Sequence, residues 1–466
     1  MHRTPDNVFY EIFMIAILIM WSPLKPLAYV APFFALGWLL YRTNSGRTLQ
    51  RLLLVSSFLA LVTVFYYLFH AWQGSTFLLP NALVSFIMYS PFFFLLVAPA
   101  PANTNEAYGY EKYARVLVVV AWIQGVVGSL QYVAAKTSSI ASGDAVQGTV
   151  SPLSFLASGA GFGNQIFAIS IIFTLLFLLP YVIVYRKGRW GFAIALMALM
   201  LALVVHAFIA LLISAFVTVF LFREHLLFSQ FKVFAIATGS VLALALALAV
   251  FMSDFVRVSL MYLEIYEGGD NPRTEAVAIA RHQLPAAYPM VYFTGLGPGQ
   301  YSSRAGLISS GYYFSGFEGP QAGDFFLNSM SEPFREYVFP SWQAYTINDA
   351  RYGNSTMSRP FFSTLSVYVE FGLVFTLGLG VLLGYYVYQL RKTYLRAYQE
   401  QRAEQRWLAL ATGIAFVFLA AVSFFENYLE TAQAIFPGLL LMQKFYSSLL
   451  QPSGMPSTPM AARAVA

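Results

Sequence analysis

The sequence predicts an all-α polytopic membrane protein of about twelve transmembrane helices, with one large, mostly helical external loop domain. Three observations lead there. Hydrophobic residues make up 58% of the chain and charged residues 10%, against roughly 25% charged in a soluble domain. The apolar residues come in long blocks rather than alternating, which is what a lipid solvent demands. The net charge of +6 sits in short Lys/Arg clusters between those blocks. Retention of cytoplasmic loops explains that pattern better than a nucleic-acid surface does. With no cysteine in the chain, disulfides, thiolate metal sites and cysteine nucleophiles are excluded.

Spanning takes about 20 apolar residues. The first candidates, 9–21 and 27–41, are short and are separated by Ser22-Pro23-Leu24-Lys25-Pro26, so they read as one kinked span or two short ones. Clearer spans follow at 52–70, 82–98, 116–134 and 166–185. The apolar run 191–222 is too long for one crossing and is interrupted at His206, which predicts two helices meeting at a tight turn. Segments 233–252, 362–390, 407–425 and 432–445 complete the set.

Charge sets the orientation. The clusters are Arg42, Arg47 and Arg51; Lys112 and Arg115; Arg186, Lys187 and Arg189; Arg223 and Lys232; and Arg391, Lys392, Arg396, Arg402 and Arg406. All fall on one side when the first two segments and the His206 pair are counted separately, and the other short loops carry only Lys25 and Lys136. That side is predicted to be cytoplasmic, with both termini on it. Asp6, Glu11 and the lack of a small-residue cleavage site argue against a cleavable signal peptide at the start. The expected organisation is amino-terminal spans over 1–252, a polar loop over 253–361, carboxy-terminal spans over 362–450, and a Pro/Ser/Ala-rich tail over 451–466 expected to be disordered.

The loop carries the chemistry. It contains Arg257, Arg273, Arg281, Arg304, Arg335, Arg351 and Arg359, many acids and no Lys. Arginine suits a site that must grip phosphate or carboxylate with a planar fork; the alternative is a solvated surface of Arg–acid pairs. Gly295-Leu296-Gly297-Pro298-Gly299-Gln300-Tyr301 follows Arg273 and Arg281. Alternating glycines let backbone amides approach a ligand, although a plain turn reads the same way. No Walker-type Lys-Ser/Thr ends the motif, so it is not a nucleotide loop. Glu370 falls inside a predicted span, where a carboxylate is expensive and is either functional or a buried partner of an Arg. His206 reads as a base, a diphosphate ligand or an interfacial histidine, and Glu426 and Glu430 as solvated acids of an external turn.

Arg273-Thr274-Glu275-Ala276, Tyr288-Pro289 and the glycine motif together resemble the external loop of the O-antigen polymerase and ligase superfamily. Fifteen residues separate Arg281 from Gly297, similar to the Arg-x15-Gly spacing of the polymerases. Leu365-Ser366-Val367-Tyr368-Val369-Glu370-Phe371-Gly372-Leu373 resembles the family's Leu-x4-Glu-x-Gly-Leu helix start. The chain also departs from the pattern. Where ligases carry His-Asn before that Glu it has Phe361-Phe362; where they carry Ser-Arg-Gly it has Val205-His206-Ala207; and 138–163 holds no Arg.

The resemblance implies a metal-independent, cofactor-free glycosyltransferase of the GT-C type in the bacterial inner membrane, with the loop in the periplasm. It would polymerise undecaprenyl-diphosphate-linked oligosaccharide as donor and acceptor, with a chain-length-regulating co-polymerase as a further partner and no nucleic acid. Arg273 and Arg281 would serve the diphosphate, with Glu370 and His206 as further catalytic candidates. Arg359, Arg304, Gly295, Gly297, Gly299 and Tyr301 are the substrate-binding candidates, and no metal ligands are expected. The missing His favours a polymerase over a ligase. A lipid-linked-sugar transporter is the alternative of another class, but the charges concentrate in one external domain and no repeated halves are evident.

Overall fold

The computed structural model describes residues 5–43, 45–98, 109–136, 144–156, 163–222, 272–312, 329–344 and 361–450. Among them the chain is helical, without strands. Among the described residues, nine helices precede the loop: α1 Pro5–Met20, α2 Lys25–Thr43, α3 Gly46–Gln73, α4 Leu79–Met88, α5 Ser90–Val97, α6 Tyr110–Ala135, α7 Gly163–Tyr185, α8 Arg189–Leu201 and α9 Val205–Leu221. The loop holds α10, Pro272–Ala278, which runs through a π-helical turn, and α11, Arg304–Ser309. After it come α12 Ser363–Gln399, α13 Ala403–Val422 and α14 Ala432–Leu450.

Among the described residues, five helices are long and apolar enough to cross a membrane, or six if the bent α4–α5 pair is one span. The expected count of about twelve is therefore not supported among the described residues. The predicted segments at the start and around His206 do form separate helices, but α1, α8 and α9 have only 16, 13 and 17 residues. A full crossing takes about 20 residues. The predicted span 233–252 lies outside the described residues. The span predicted at 82–98 is instead broken by 64° at Tyr89, just before Pro91, whose ring cannot donate to the helix ladder. The expected turn before His206 is present at 202–204, with Leu203 at φ 56°.

Helices α7 and α14 are largely enclosed by the others, whereas α3 turns Leu53, Leu54, Phe58, Leu61 and Leu68 outward. So much outward apolar surface on one helix calls for an apolar surrounding. Pro437 leaves the Gln433 carbonyl of α14 without its helical donor; Ser170 Oγ of α7 supplies one at 3.3 Å. Lys187 lies 3.9 Å from Glu111, and Tyr185 donates to Glu404, which gathers the 112–115, 186–189 and 402–406 clusters at one end of the bundle. The loop caps the opposite end. Its core of Leu284, Val291, Leu296, Tyr301, Phe334 and Trp342 packs on Phe361, Phe362, Leu365 and Val369, at the start of α12.

Candidate functional site

Two adjoining regions at the loop end bring polar groups together. The first is the glycine motif. Helix α12 breaks at Gly372, which has φ 79° and ψ 171°. The break leaves the Val369 and Glu370 carbonyls without helical donors. Leu296 N–H and Gly297 N–H fill those places, each at 2.8 Å. Tyr66 of α3 donates to Thr294 O and, at 3.3 Å, to Glu370 O. A Cβ on Gly295 would lie 2.4 Å from the Glu370 carbonyl, and one on Gly372 would lie 2.2 Å from the Phe293 carbonyl. Contact this close, at φ 74° and 79°, needs glycine on both sides.

The amides of the motif are already engaged. Glu370 is 0% exposed. Its Oε2 accepts from Gly299 N–H at 2.7 Å, and its Oε1 accepts from Tyr301 and Ser303 N–H at 3.1 Å. Three converging amides are what an anion nest offers, and here the anion is a side chain of the same protein. The flank is tied down as well. Gln300 pairs with both backbone groups of Leu78 at 3.0 and 3.1 Å, and Asn81 Nδ2 donates to Gly299 O at 3.2 Å. His70 Nε2 lies 2.8 Å from the Leu296 carbonyl, which can only accept.

The second region is the turn between α13 and α14, Glu426-Asn427-Tyr428-Leu429-Glu430-Thr431. Arg273, 153 residues away in sequence, donates to Glu426 Oε1 at 2.8 Å across an ion pair whose side chains are 12% and 7% exposed. Arg304 donates through its backbone N–H to Glu430 and through Nη1 to Thr431 Oγ1 at 2.8 Å. Tyr89, at the α4–α5 break, donates to Glu430 Oε1 at 3.1 Å. His206 stacks on Phe425 and Tyr428, and its Nε2 lies 2.6 Å from the Tyr428 hydroxyl, which donates to Gln165. Burial, with the Glu370 charge nearby, pushes the Glu430 carboxyl up to about 8.

The turn therefore gathers Arg273, Arg304 and His206 of the candidate residues, and Glu370 sits beside them beneath the glycine motif. Arg281 is exposed on the π-helical turn and contributes no side-chain bond to this cluster among the described residues. Arg359 lies outside the described residues. The ring of Tyr301, a substrate-binding candidate, is fully buried in the loop core beside Trp342. Glu426 and Glu430, read in the sequence as solvated turn acids, are 5% and 0% exposed. Glu430, Tyr89 and Asn427 were missed as site residues altogether; two carboxylates within one short turn between apolar segments were the only available signal.

The arrangement sets two guanidinium groups, a histidine and two carboxylates at the end of the bundle. It can hold an anion and exchange a proton. Among the described residues, no three His, Asp or Glu side chains gather where a metal ion could be held. No family model, curated protein or solved structure matches the chain.

Proposed function

We propose that the chain is a polysaccharide polymerase that joins lipid-diphosphate-linked oligosaccharides at the outer face of a bacterial inner membrane, without a metal. The observation that supports this most is the convergence of Arg273 and Arg304 with Glu426, Glu430 and His206 on one turn beneath the loop. In the reaction an acceptor hydroxyl attacks the anomeric carbon of the donor sugar. The bond from that carbon to the lipid diphosphate breaks, and the diphosphate leaves with the electron pair. Fixed cationic donors at the departing oxygens lower the barrier, and Arg273 and Arg304 take that role.

Glu426 is the group placed to receive the hydroxyl proton. In the resting protein it is neutralised by Arg273. When Arg273 turns to the arriving diphosphate, Glu426 loses its counter-charge and becomes a stronger base. Arg281 and the glycine amides have no contact with substrate in this scheme.

The test uses purified full-length protein and lipid-linked oligosaccharide extracted from a strain lacking the gene. Chain lengthening in excess EDTA with no nucleotide sugar is the expected result, read by gel or mass spectrometry. Strict dependence on added Mg²⁺ or Mn²⁺ would overturn the metal-free scheme. Transfer only to a different acceptor would indicate a ligase. Passage across a sealed vesicle with no new glycosidic bond would indicate a transporter.

A further inference from the structure

We infer that Glu370 is a positioning residue: its carboxylate fills the amide nest of the glycine motif and, by fixing that segment, delivers Arg304 to the Glu430 turn. The functional part of this inference rests on the proposed anion site at Arg273 and Arg304; the docking part does not.

The geometry runs along one short segment. The amides of residues 299, 301 and 303 all end on the Glu370 carboxylate, and the next amide, that of Arg304, ends on Glu430. Six residues are thus held between two fully buried carboxylates. Other contacts hold the segment as well: Asn427 Nδ2 donates to Ser302 O at 3.1 Å, Ser303 Oγ accepts from Gly306 N–H, and Arg304 Nη1 reaches Thr431. Gln300 and Asn81 grip positions 300 and 299, and Ser302 Oγ pairs with Ser366 Oγ at 3.0 Å. The amide of Ser303 ends on Glu370 and that of Arg304 on Glu430.

Both Glu370 oxygens are acceptors in use, and neither site can take a donor. The glutamine of E370Q would turn an NH₂ group toward a backbone N–H at one of the two oxygens. Because the nest is filled from inside, the motif that looks built for a phosphate acts instead as a hinge pin for the loop. Arg304 is the group through which that pin reaches the candidate site.

The chain contains no cysteine, so a single introduced thiol reports on docking alone. Ser302 is fully buried, and in S302C the thiol should resist a membrane-impermeant maleimide. In S302C/E370Q it should label, because residues 299–303 lift from α12. The second arm measures binding of geranylgeranyl diphosphate, a probe of the proposed anion site, to the wild type, E370Q, R304A, R273A and E370Q/R304A. E370Q should bind roughly tenfold more weakly, as expected for losing one well-placed charged contact. The double variant should bind no more weakly than R304A alone.

An S302C thiol that stays protected in E370Q overturns the docking role. A full multiplicative loss in the double variant shows that Glu370 acts independently of Arg304, and overturns the positioning role. If R304A and R273A both bind the probe like wild type, the anion-site reading fails, while the labelling result still decides the docking role.

Discussion

Glu370 and Glu430 are both fully buried and both bind the segment 299–304, yet their surroundings differ in kind. Glu370 is met by backbone amides from a glycine-rich turn packed against a broken helix. Glu430 is met by one amide and the side chains of Tyr89 and Asn427, with Arg304 reaching the adjoining Thr431 and Arg273 holding Glu426 on the same turn. Backbone amides cannot swing away without unfolding the turn that carries them. Long cationic side chains can exchange one partner for another. Two equally buried glutamates thus serve a closed structural joint in one place and a rearrangeable cluster in the other.

The largest effect should come from wedging the joint apart. In Gly295→Ala the new Cβ meets backbone at 2.4 Å, at a φ of 74°. Overpacking and left-handed strain together should cost about 3 kcal/mol or more. Little monodisperse protein should survive detergent extraction, judged by fluorescence-detected size exclusion. Normal yield and melting temperature would mean that the close approach of Gly295 to α12 is not maintained.

A smaller effect separates the two carboxylates by pH. The folded protein holds the Glu430 proton up to about 8, against an ordinary value of 4.5. Between those values the folded state binds the proton more tightly than the unfolded state. The associated stability is therefore complete below 4.5 and is lost as pH rises through about 8. Glu430→Gln keeps the shape without the titration, so its melting temperature should change less than that of the wild type between pH 5 and pH 9. Parallel slopes for the two proteins would show that Glu430 does not titrate in this interval.

The smallest effect is expected on the outer side of α12. A Cβ at Gly378 meets nothing within 4 Å, and alanine favours a helix over glycine by up to about 1 kcal/mol. Gly378→Ala should melt at or slightly above the wild-type temperature, in contrast to Gly295→Ala. A large loss at Gly378 would place an unseen neighbour against that face.

The sequence revealed the apolar helices and the kink before His206 because both follow from local composition. It also singled out Arg273, on residue type and place, which the structure sets against Glu426. It could not reveal that Glu370 binds amides, because backbone donors have no residue identity to read. Glu426 and Glu430 looked solvated because a charged turn usually is. Their burial depends on Arg273, 153 residues away, and on a loop folded over the bundle end. Twelve crossings are not supported among the described residues, because hydropathy does not distinguish a full crossing from a 13-residue apolar helix such as α8.

The most direct measurement is the rate at which purified protein lengthens lipid-linked oligosaccharide in EDTA, compared for wild type, Arg273→Ala, Arg273→Lys and Arg304→Ala. Loss of a charge-assisted contact worth ~2–4 kcal/mol in the transition state should slow both alanine variants roughly 30–1000-fold. Lysine at position 273 should restore only part of the rate, since a point charge cannot reproduce the guanidinium fork. Near-wild-type elongation by both alanine variants, with the proteins folded and in the membrane, would contradict an anion site at the 426–431 turn.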